Sequence, residues 1–131
     1  MISLKMFGLK IKKTSKSYNS DLVDKESIGL TLKDIIKILR EFSHSGQADY
    51  MDRLFETLTI DDNSKFKLMS QTVDIWGGSG AVWEVWIPDN NKEKEFQKLM
   101  ISFAKLLLKN GIKNHGITSI KSLFEKEVKK N

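Results

Sequence analysis

TLKDIIKILREF, residues 31–42, places Leu32, Ile35, Ile36, Leu39 and Phe42 at three- and four-residue steps, with charged side chains between them. An α-helix turns about 100° per residue, so these five side chains share one face. A strand would need alternation by twos, which this stretch lacks. Thr31 with Asp34 three residues on resembles a capping box, so the helix is expected to open at Thr31 and to stop near Gly46. Met51, Leu54, Phe55 and Leu58 repeat the pattern in a second helix, and Asp61-Asp62-Asn63 reads as the turn that ends it. Ser64 then suits the cap of a short third helix with Phe66, Met69 and Val73. A long helix over 92–109 carries Phe96, Leu99, Met100, Phe103, Leu106 and Leu107 and closes at Gly111. Gly116 and Thr118 open the last, with Ile120, Leu123, Phe124 and Val128. The expected fold class is mainly α: about five amphipathic helices in a small bundle.

One stretch breaks the pattern. Residues 81–87, AVWEVWI, are rich in β-branched and aromatic side chains and stop at Pro88, which reads as a strand. Trp83, Val85 and Ile87 would share one side of it. A partner strand is available in 6–12, where Phe7, Leu9 and Ile11 alternate with Gly8, Lys10 and Lys12, although the same residues also read as a frayed basic tail. Residues 13–29 are polar and read as a linker. The organisation expected is a basic amino-terminal segment, 1–20, followed by one globular helical domain, 21–131.

Composition limits the chemistry. The 131 residues contain no cysteine, which removes disulfides, thiolate metal sites and a cysteine nucleophile, and suits a reducing compartment. No apolar run approaches the roughly 18–20 residues of a membrane span, and the amino terminus lacks the pattern of a secretion signal. A cytoplasmic protein without a membrane partner is expected. The net charge of +5 is unevenly distributed. Residues 1–20 carry five lysines and no acid; 21–91 carry 7 basic and 13 acidic side chains; 92–131 carry 10 and 4. With arginine only at positions 40 and 53, the dense arginine stripe of a nucleic-acid binder is missing, and nucleic acid is the less expected partner.

No convergent catalytic set is visible, so an enzyme is not expected, nor is a cofactor or metal. The two histidines, His44 and His115, lie beside glycines near helix ends, where capping or exposed histidines are common, and no HExxH or GxSxG motif occurs. The glycine cluster Gly77, Gly78, Gly80 is no phosphate loop, because it leads toward a strand and lacks the following lysine. It is expected to be a structural turn with positive φ at Gly77 or Gly78. Asp49, Asp52 and Glu56 fall on the helix face opposite Met51, Leu54, Phe55 and Leu58, and Asp61 and Asp62 continue the stripe. Its plain reading is a solvated helix face; its functional reading is a docking surface for a basic protein. Trp83 and Trp86 are the further partner-binding candidates, since tryptophan is enriched at interfaces.

Around the glycine turn the chain resembles a family of small, uncharacterised bacterial proteins. Their two amphipathic helices precede a Gly-Gly-x-Gly-Ser-x-Asn-Asp-like element, then a strand and a further helix. Gly77, Gly78 and Gly80 match the glycines and Glu84 stands at the family's acid, while Ala81 replaces the serine and Trp83 the asparagine. The resemblance spans roughly 30–110 and implies the architecture, with no activity attached. By type, a small cysteine-free domain with segregated charge also looks like an immunity protein of a toxin–immunity pair. The function expected is therefore a protein-binding module that neutralises a cognate toxin domain by direct binding. The alternative is a nucleic-acid-associated or regulatory domain using the lysine-rich terminal parts.

Overall fold

The computed structural model describes residues 21–130 and folds them into six α-helices, with no strand among them. In chain order these are α1 (Lys25–Glu41), α2 (Ser45–Thr59), α3 (Asn63–Met69), α4 (Val73–Trp76), α5 (Asn90–Lys109) and α6 (His115–Lys129), with a single 3-10 turn at Val82–Glu84. α1 is the centre of the bundle and packs on α2 and α5, while α6 packs on the far side of α5. Its ion pairs fix the directions. Lys25 reaches Asp61 and Arg40 reaches Asp49 and Asp52, so α1 and α2 run antiparallel. Asp24–Lys109 at one end and Glu41–Lys92 at the other make α1 and α5 antiparallel too.

α1 begins six residues before Thr31. Ile28 lies one turn ahead of Leu32 and is fully buried, so the expected linker ends before the helix rather than inside it. Thr31 is therefore a mid-helix residue, and its hydroxyl donates to the Ser27 carbonyl one turn back at 2.8 Å instead of capping. The helix also stops earlier than Gly46. His44 N–H bonds the Leu39 carbonyl and Ser43 N–H the Arg40 carbonyl, with Ser43 in the left-handed region at φ 65°. This is the Schellman arrangement, with serine where glycine is usual. Asp61 ends α2 the same way at φ 58°, and Gly111 ends α5 at φ 74°. Asp62, not Ser64, caps α3 by accepting from Lys65 N–H. Val73 opens a separate helix. Asn114 opens α6: its Oδ1 accepts from Ile117 N–H, and its Nδ2 donates to the Gln71 carbonyl of the α3–α4 connection.

The core forms where the apolar faces converge. Leu32, Ile35, Leu39, Met51, Leu54, Phe66, Phe96, Phe103 and Leu107 are essentially inaccessible, each contributing about 1.5–3 kcal/mol of transfer free energy by its burial. Trp76 stacks on Phe103 with ring centroids 6.0 Å apart, and its indole N–H donates to the Ser70 carbonyl. A two-way amide clasp holds the start of the described chain. Asn110 accepts from Val23 N–H and donates to the Val23 carbonyl, joining the segment before α1 to the end of α5.

The strand expected at 81–87 is absent. Val82–Glu84 form the 3-10 turn, and Val85 is extended without a neighbouring strand. The inward and outward alternation of 83–87 nevertheless survives: Trp83 and Val85 are half-buried and Ile87 is buried, while Glu84 and Trp86 face out. A ladder needs a second strand to satisfy its backbone groups. Here side chains supply some of those partners. The strand expected at 6–12 lies outside the described residues.

Candidate functional site

The connection between α4 and α5 is built from the glycine cluster upward. Gly77 lies at the end of α4 with φ −90°, and an ideal Cβ there would be 2.6 Å from Val73 Cβ and 2.7 Å from its carbonyl oxygen. Its requirement for glycine is close approach, not positive φ. Gly78 also avoids positive φ and faces open space, so the expected left-handed residue is Gly80 instead, at φ 87°. The chain then turns on itself. Ala81 N–H bonds the Gly78 carbonyl, and the Glu84 carboxylate accepts from Gly80 N–H at 3.1 Å. Trp83 points inward, donating its indole N–H to the Gly77 carbonyl and meeting the Phe124 ring edge-on.

Trp86 points outward. It is 73% exposed, against 5% for Trp76. A tryptophan ring carries the largest apolar surface of any side chain, so leaving it in water forgoes a large transfer free energy. The backbone beneath it is not free. His44 Nε2 lies 2.7 Å from the Trp86 carbonyl, and Gln47 Nε2 donates to the Gly80 carbonyl at 3.0 Å. Both anchors come from the start of α2. From the sequence His44 is expected to be a capping or exposed histidine, and Gln47 carries no expectation. Nothing in the sequence signals either role, because the contacts span 42 and 33 residues.

The acidic stripe is on one face of α2 but is largely engaged. Arg40 of α1 binds Asp49 at 2.9 Å and Asp52 at 2.5 Å, and these hydrogen bonds, Asp52 first, raise the guanidinium pKa above its ordinary value. Asp61 pairs with Lys25, and Asp62 is occupied as a cap. Glu56 and Asp62 make no ion pair with a described residue, and of these two Asp62 is the one engaged as a helix cap. Trp83 is half-buried, so Trp86 and Glu56 are the candidates most available to a partner. They lie on different parts of the surface: Trp86 by the start of α2, Glu56 in its last turn.

His115 Nε2 is 3.2 Å from Ser119 Oγ, one helical turn on, with both residues near the surface of α6. This is a local helix contact between neighbouring turns. Among the described residues, no helix is long and apolar enough to cross a membrane. No protein-family model matches this chain, and neither a curated protein nor a solved structure matches it.

Proposed function

We propose that this chain is a cytoplasmic protein-binding module, an immunity protein that neutralises a cognate toxin domain by direct binding. The observation that carries the reading is Trp86, an exposed indole on a loop whose backbone is anchored from α2. Tryptophan dominates binding hot spots because a rigid apolar surface fills a partner pocket at low entropic cost. The loop's charge indicates the partner's chemistry. Glu84 is the one charged side chain of residues 78–88, and the flanking chain from 68 to 91 adds Asp74 of α4 and Asp89, the cap of α5, with neither lysine nor arginine, so a basic rim around an apolar pocket would complement this segment.

The test uses the carboxy-terminal domain of a secreted protein encoded next to this chain. Co-expression should give a complex and protect the host from that domain, and Trp86→Ala should weaken the complex by about tenfold or more. Absence of a complex, or an unaffected Trp86→Ala variant, overturns the reading.

A second reading rests on a different observation. Lys94, Lys98, Lys105, Lys113, Lys126 and Lys129 make no ion pair with a described residue, and Glu93 is the one unpaired acid of the same segment. This favours a nucleic-acid-associated role. Binding of a labelled 20-base-pair duplex that survives about 150 mM salt would support it, whereas loss at that salt would leave only non-specific attraction.

A further inference from the structure

We propose that His44 and Gln47 are positioning residues for a docking loop, 78–88: they fix its backbone before the partner arrives, so that Trp86 enters an apolar, basic-rimmed pocket already ordered. The inference rests on the reading of Trp86 as the partner's anchor. Its own support is the pattern of hydrogen bonds. A loop without a strand partner would leave its carbonyls to water and its backbone free to move. Here two carbonyls, at either end of the 80–86 segment, are taken by side chains from the N-cap and first turn of α2. The loop closes on itself between them through Glu84 and Gly80, and the Trp83–Gly77 and Trp83–Phe124 contacts fasten its inner side. Trp83 holds the inner side, His44 and Gln47 hold the base, and the exposed Glu84 turns back onto Gly80 N–H; the large apolar side chain of the loop left in solvent is Trp86.

The two anchors differ in what they tolerate. A carbonyl oxygen only accepts, so His44 must carry its hydrogen on Nε2. Gln47 offers an amide donor at the end of a flexible stem, which gains most from being held by the helix start. Ordering a binding loop in advance removes a cost otherwise met at association.

The experiment has two arms. In the free chain, His44→Ala with Gln47→Ala should speed amide hydrogen exchange at Gly80, Ala81 and Glu84 by about tenfold or more, while α1 and α5 amides keep their protection. His44→Gln, which restores a donor at similar reach, should recover much of the slow exchange. Unchanged exchange in the double variant overturns the proposal. In the second arm, the same double variant should bind the co-encoded domain about tenfold more weakly, and should cause no further loss when Trp86 is already alanine. If Trp86→Ala weakens binding but the double variant does not, the positioning role is overturned and the anchor reading stands. If Trp86→Ala leaves binding intact, the anchor reading falls and the proposal with it.

Discussion

At position 77 a side chain has nowhere to go, because Val73 occupies the place of its Cβ. Gly77→Val should therefore destabilise the fold by about 1–3 kcal/mol, whereas Gly78→Ala should leave the melting temperature within about a degree or two, since its Cβ meets open space. Equal melting temperatures for the two variants would contradict the geometry. Ser43 offers the opposite case. It holds φ 65° at a helix end where glycine carries no steric penalty. Ser43→Gly should stabilise the protein by about 0.5–1 kcal/mol, read as a rise in the urea midpoint with an unchanged m-value. The glycine cluster was legible in the sequence as a turn. Which glycine needed which freedom was not, because positive φ and steric room belong to the folded backbone.

At the scale of elements, α1 and α2 are joined by charges that the sequence presented as a free acidic stripe. Reversing Asp49 and Asp52 to lysine would set two cations against Arg40 and should lower the melting temperature at low salt, with the loss shrinking as salt rises. Glu56→Lys lacks that consequence and is the clean probe of docking through this face: it should leave unfolding unchanged. An equal thermal loss in both would mean that the Arg40 pairs contribute nothing particular. Asn114 does two jobs, capping α6 and holding the Gln71 carbonyl, so Asn114→Ala should cost about 1–2 kcal/mol, measured by denaturant unfolding. The five long or medium helices could be read from spacing alone, since an apolar face repeats with the helix period wherever it meets a core. The start of α1 does not show in the spacing because Ile28 is the one buried side chain of the helix before Thr31, too sparse for a period, and Leu22, the other buried residue of this polar stretch, lies ahead of the helix.

On the scale of the whole molecule, Tyr50 ties α2 to the α3–α4 connection by donating to the Met69 carbonyl and sharing a hydrogen bond with Thr72 Oγ1. Burial raises its pKa above the ordinary value of about 10. A phenol whose folded pKa is raised favours the folded state below its unfolded pKa, and that contribution is lost as pH climbs above about 10. Stability should fall more steeply above pH 10 in the wild type than in Tyr50→Phe, as followed by urea midpoints; parallel curves would exclude Tyr50 as the cause. The sequence by itself determined the helical class, most of the core and the absence of thiol chemistry, because periodicity and composition are local quantities that burial merely enforces. Tertiary structure alone decided that the tryptophan segment forms no strand, that Asp49 and Asp52 are held by Arg40, and that Trp86 stands exposed above His44 and Gln47. Those outcomes turn on which groups from distant parts of the chain come within hydrogen-bonding reach, and no spacing along the sequence carries that distance.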